Sequence, residues 1–218
     1  MKKKTLTIAI ALVLVVALAV GATYAYLTAS SGPVKNTFVA GKLFDQGGAL
    51  TLKEHVVSYD KATGTYTVNT ETTSSGQNYI VQPGLDIPKD PTVKLEKLSV
   101  DTSAYVFIGV AGASADNFTW SVDGSVWKEL KDASGNDVKK TVNDVEYTIY
   151  TLASDKVTAT AGNQDFTYNV LANKTITVGK DFAVEDASSL KIEVIAYACQ
   201  ATTFADAYAA FDACFGTK

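Results

Sequence analysis

Leu190-Lys191-Ile192-Glu193-Val194-Ile195-Ala196-Tyr197-Ala198-Cys199 is apolar throughout on one face and only in part on the other. Strand side chains alternate with period two, so Leu190, Ile192, Val194, Ala196 and Ala198 share one side. The opposite side begins with Lys191 and Glu193 and then becomes Ile195, Tyr197 and Cys199. An outer face that turns apolar needs a cover. The next segment supplies it: Thr203-Phe204-Ala205-Asp206 predicts a helix start with Thr203 as the cap. Phe204, Tyr208, Phe211 and Phe215 then recur at helical spacing and give one aromatic stripe. The stripe is expected to pack on the strand rather than to serve a cofactor or a membrane.

Working outward, the rest of the chain reads as short strands. Tyr105–Val110 is apolar on both faces and is expected to be the most buried strand. Thr92–Val100 alternates, but its phase slips at Glu96-Lys97, which predicts a bulge or an early turn. Leu50–Tyr59 alternates and is followed by the turn Asp60–Gly64 and a returning strand Thr65–Thr70. Tyr79–Val81 reads as a short strand. Three of the four prolines lie in Pro83–Pro91, so this stretch is expected to be an extended crossover. Phe118–Val122 and Val126–Leu130 flank Asp123-Gly124, a hairpin signal. Val145–Leu152, Lys156–Thr160, Phe166–Leu171 and Thr175–Val178 continue the rhythm. Strands and turns at this spacing predict an all-β chain, a jelly-roll-like β-sandwich with one short helix near 203–215, built as a single domain over 37–218.

The amino terminus is different in kind. Lys2-Lys3-Lys4 precedes an apolar run from Leu6 to Val20, and small residues follow near Ala25. These are the three regions of a secretory signal helix, residues 1–25. The cut is expected between Ala25 and Tyr26, with Thr23 three residues before the bond. The other reading is an uncleaved anchor, since Leu6–Ala25, about 20 residues, is long enough to span a bilayer. Residues 26–36 form a short, polar arm with little to bury, and Thr37–Phe44 reads as a strand with Gly41 as a bulge.

Removing residues 1–25 takes three lysines from a formal net charge of −4 and leaves −7. A negative surface disfavours nucleic acid, which selects basic patches. The chain has no arginine, so bidentate recognition of phosphate or carboxylate is not expected. Apart from the leader no long apolar segment occurs, so the cut product is expected to be released or held by partners rather than by lipid.

Several stretches resemble the TasA and camelysin-like family. One is Gly21-Ala22-Thr23-Tyr24-Ala25-Tyr26-Leu27-Thr28 with Lys35-Asn36-Thr37-Phe38-Val39-Ala40-Gly41-Lys42-Leu43. A second runs from Val81-Gln82-Pro83-Gly84 through Ile87–Pro91 into Tyr105–Val110, and a third from Ile195–Ala201 into Asp206-Ala207-Tyr208. The resemblance implies a protein secreted by a Gram-positive bacterium, processed by a signal peptidase of the SipW type, and assembled into extracellular matrix fibres. The chain departs from the family in having Thr28-Ala29-Ser30 where an acidic residue is common, and in its cysteine pair. Camelysin-like proteins are also described as metallo-endopeptidases, which makes secreted proteolysis the alternative function.

The expected function is a non-enzymatic structural subunit, without a cofactor, whose partners are further copies of itself and other matrix proteins. An arm running from Tyr26 and Leu27 into Phe38 and Val39 is the candidate donor strand for a neighbouring copy's sheet edge. Cys199 and Cys214 are the only cysteines, which in a secreted chain suggests a disulfide. Across a separation of 15 residues it removes about 3 kcal/mol of unfolded-state entropy in the chain-entropy model. Two free buried thiols are the alternative. His55 is the only histidine and sits on an alternating strand, whereas a catalytic zinc needs three protein ligands and commonly paired histidines. A solvated strand histidine is therefore expected, and no metal site. Asp132–Asp137 is read as a solvated turn, since it lacks the glycine and glutamate of a calcium loop. Trp120 and Trp127 frame a third function, a carbohydrate-binding or adhesion module; as aromatics flanking a turn they are expected to be a cross-strand pair.

Overall fold

The computed structural model describes residues 28–31, 50–112, 117–182 and 190–216. The predicted leader, Tyr26, Leu27, and the strand at Thr37–Phe44 with Phe38 and Val39 lie outside these. The described residues form antiparallel β-sheets with one short carboxy-terminal helix, an all-β sandwich.

The largest sheet is ordered β1 (Thr28–Ser31), β14 (Glu193–Gln200), β6 (Ser103–Ala111), β10 (Val145–Leu152), β8 (Trp127–Glu129). Short strands β11 (Val157–Thr158) and β9 (Lys139–Val142) pair with β6 and β10. A four-stranded sheet runs β12 (Gln164–Asn169), β5 (Thr92–Leu98), β2 (Leu50–Asp60), β3 (Thr65–Thr73). A small sheet joins β4 (Asp86–Pro88), β13 (Thr175–Val178) and β7 (Phe118–Thr119).

Strand periodicity explains the two main cores. Val106, Ile108 and Val110 of β6, with Val194, Ala196 and Ala198 of β14, face Leu50, Val93, Leu95 and Leu98 of the four-stranded sheet. The alternate residues Tyr105 and Phe107, with Ile195, Tyr197 and Cys199, point the other way. There they meet α1 (Ala207–Phe215), which buries Ala207, Ala210, Phe211 and Cys214 against them. A core strand covered on both faces must be apolar at every position, which is why β6 lacks polar alternation. Gly109 is the one gap in it. A Cβ there falls 2.7 Å from Ile195 Cγ1 and 3.1 Å from Tyr147 Cβ, so the two large neighbours close over the glycine.

The phase slip in β5 is a bulge. Lys97 adopts φ 54°, and the pairing with β12 shifts between Gln164 and Phe166. The extra residue returns Leu98 to the core face beside Val93 and Leu95. Asp165 accepts the Lys97 backbone N–H at 2.8 Å, replacing the lost ladder bond.

Three expectations need correction. The helix starts at Ala207 and is capped by Asp206, not Thr203. The Asp206 carboxylate accepts the Ala209 N–H at 2.8 Å, so the three residues before it stay outside the helix. Asp123-Gly124 is a turn, but its flanks do not form a hairpin: β7 pairs with β13 and β8 with β10. The Asp123 side chain accepts the Ser125 N–H at 3.0 Å, so the turn is closed locally whichever sheets its two arms enter. Tyr79–Val81 is not a strand; instead the Tyr66 hydroxyl accepts from the Ile80 N–H and donates to the Ile80 carbonyl. The Pro83–Pro91 stretch is an extended crossover as expected, and its one strand, β4, is a three-residue edge strand of the small sheet that ends at Pro88.

Candidate functional site

The outer edge of β14 is the most distinctive feature of the surface. On its inner side β14 pairs with β6 along its whole length, from Glu193 opposite Ala111 to Gln200 opposite Ala104. On its outer side it meets only β1, in the register Thr28 with Cys199 through Ser31 with Ala196. Among the described residues no strand pairs the outer edge of Glu193–Ile195. Thr28–Ser31 belongs to the stretch read from sequence as an arm with little to bury. Strand addition relies on backbone N–H and C=O groups, so a burial argument does not register it. The chain thus completes its own sheet edge with the residues that follow the predicted cut, while Tyr26 and Leu27 immediately precede β1 in sequence.

A second free edge lies at β3, the last strand of the four-stranded sheet. It is the return strand of a local hairpin and pairs with β2 from Asp60–Thr65 to Glu54–Thr73. β1, by contrast, pairs with sequence far away in the chain.

Aromatic rings brace the β14 edge from beneath. Tyr197 of β14 packs at a tilt on Phe215, 4.9 Å between centroids, and meets Phe211 edge-on at 5.9 Å. Phe107 of β6 meets Phe211 at 5.1 Å. Burial among these rings pushes the Tyr197 hydroxyl up to about 12. Lys140 donates to the carbonyl of Phe215 at the end of α1, where cations are favoured. The predicted aromatic stripe is therefore a packing surface, with Phe204 and Tyr208 half-buried at its margin.

Cys199 and Cys214 lie in one buried cluster of this layer and are not bridged to each other. The thiol of Cys199, hydrogen-bonded to Cys214 and fully buried, is pushed up. The same contact with Cys199 draws Cys214 down.

A polar cluster lies where the proline-rich crossover passes β2. The His55 Nδ1 is 2.5 Å from an oxygen of Asp90, whose other oxygen accepts the His55 backbone N–H at 2.9 Å. Lys89 and Glu54 form an ion pair at 2.6 Å, with side chains only 11% and 8% exposed. Gln77 fills the β2–β3 bulge: its amide accepts from the Val57 N–H and donates to the His55 carbonyl and to Glu54. Lys89 also lies 5.1 Å from the ring centre of Tyr79, whose hydroxyl is pushed up by burial. The arrangement fastens the crossover to β2. Among the described residues no three His, Cys, Asp or Glu side chains group as metal ligands. The sequence reading leaves this cluster out, although Glu54 follows Leu50 and Leu52 on the apolar face, which was the available signal.

Trp127 is a core residue, 2% exposed, with its indole N–H donated to the Asn169 carbonyl. Trp120 is half-buried between two core clusters, so the two tryptophans are not a cross-strand pair. Asp132 accepts the backbone N–H groups of Ser134 and Asn136, which makes the Asp132–Asp137 loop self-contained.

Compared with family models, with curated proteins and with solved structures, the chain matches none.

Proposed function

We propose that this protein is a secreted structural subunit of extracellular, biofilm-matrix-type fibres, and not an enzyme. A SipW-type signal peptidase cuts between Ala25 and Tyr26, and the freed arm, residues 26–36, adds as a strand to the β14 edge of the next copy. The observation that supports this is the pairing of Thr28–Ser31 with Ala196–Cys199, a four-residue strand at the end of a sheet.

The same strand from a second copy fits the same edge with the same hydrogen bonds. Exchange between copies therefore changes little enthalpy, and concentration decides between closed monomer and chain. The arm of one copy meets the β14 edge of the next, so the contact is heterologous, and it builds a filament when the rotation between copies does not close. Before cleavage the arm is tethered to the membrane-bound leader, so cutting licenses assembly. Tyr26 and Leu27 supply apolar anchors beside the paired strand, with Phe38 and Val39 continuing it. Other matrix proteins with a similar arm are the further partners.

Electron microscopy of the chain beginning at Tyr26, beside a version lacking residues 26–36, tests this. Fibres from the first and none from the second are expected. Equal fibre formation by both, or none by either, overturns the arm mechanism.

A further inference from the structure

We propose that Cys199 and Cys214 form a thiol–disulfide clamp that holds the β14 edge in shape while its covering strand exchanges; this use of the clamp rests on the fibre reading above. Cys199 occupies the register position opposite Thr28, at one end of the β1 pairing. Its side chain lies on the α1 face, in one buried cluster with Cys214. When β1 leaves, β14 becomes a bare edge supported by β6 on one side and by α1 beneath. α1 has nine residues, too few to be stable except through packing. A covalent link from its last turn to β14 keeps helix and edge together through the exchange.

The reaction is thiol–disulfide exchange with a small-molecule disulfide. Cys214, the more exposed residue of the pair at 9% against 0% for Cys199, attacks as its thiolate one sulfur of the oxidant. The small disulfide bond breaks, a mixed disulfide forms on Cys214, and one small thiolate leaves. Cys199 then loses its proton and attacks the Cys214 sulfur, forming the internal bond and releasing the second thiolate. The two protons of the cysteines end on the two released thiols; the protein is oxidised and the small disulfide reduced.

The test treats the reduced mature chain with oxidised glutathione under native conditions and reads intact mass and hydrogen exchange. The expected product is about 2 Da lighter, without a glutathione adduct, and the amides of Ala196–Cys199 exchange about tenfold more slowly in it. Cys214→Ser, or Cys214→Ala should the serine fail to fold, shows neither change. Thiols that stay reduced, a reaction that stops at the adduct, or unchanged exchange in the oxidised form each overturn the clamp. Fibres that form while the thiols resist oxidation remove the clamp alone. A clamp that forms in a chain that never polymerises leaves the clamp standing and removes the fibre reading.

Discussion

Thr28 stands opposite Cys199 in an antiparallel register, so the first described residue of the chain covers one of the last positions of its final sheet strand. The amino-terminal arm and the carboxy-terminal strand therefore share one edge. Whatever separates Thr28–Ser31 from β14 bares that edge, and whatever re-covers it can come from the same chain or another.

Proline in β1 isolates the backbone term. Ala29→Pro with Ser30→Pro removes two adjacent N–H donors, one of which faces β14 in any register. Fibre formation, read by electron microscopy, is expected to disappear. The body, anchored by β6, is expected to lose less than about 2 kcal/mol in urea unfolding.

Gly109 sets how closely β14 and β10 close over β6. Gly109→Ala places a methyl 2.7 Å from Ile195 Cγ1, and the backbone around it is a central strand that gives little. Overpacking of this kind costs about 1–3 kcal/mol, and the urea midpoint is expected to fall accordingly.

The Lys89–Glu54 pair separates a buried charge from a buried ion pair. Lys89→Met leaves the buried Glu54 carboxylate without its cation, beside Gln77 and the Tyr79 hydroxyl, and is expected to cost about 3–5 kcal/mol. Combining it with Glu54→Leu removes the orphaned charge, and most of the loss is expected to return. A double-mutant cycle in urea checks both values.

Tyr197 predicts an alkaline limit. Its folded-state value, pushed up to about 12 by burial, lies above the ordinary tyrosine value of 10.0. The folded state thus favours the neutral phenol. Its contribution is complete below pH 10 and is lost as pH rises from 10 toward 12. Circular dichroism is expected to show unfolding in that window, with a smaller loss in Tyr197→Phe.

The sequence made the middle of the fold legible wherever side-chain burial leaves a pattern. Tyr105–Val110 had to be covered twice, and Ile195, Tyr197 and Cys199 had to meet the stripe containing Phe211 and Phe215; both follow from period two against period 3.6. The slip at Glu96-Lys97 had a bulge as its simplest cause, and Lys97 supplies it. Pairing choices were not legible. Asp123-Gly124 closes the same local turn whether its flanks pair with each other or with β13 and β10. The strand at Thr28–Ser31 depends on backbone groups that every residue carries, so no composition marks it. Glu54 finds Lys89 only because the proline-rich crossover folds back across β2, a contact between residues 35 apart.

The exchange of the arm between copies is tested most directly by lysine cross-linking in fibres grown from an equal mixture of ordinary and nitrogen-15-labelled mature chains. Lys35 lies four residues beyond Ser31, and Lys191 lies five before Ala196, so the two flank the β1–β14 pairing. The account predicts Lys35–Lys191 products that join labelled to unlabelled peptide in fibres, and only same-isotope products in dilute monomer. Fibres that yield same-isotope products alone would contradict it.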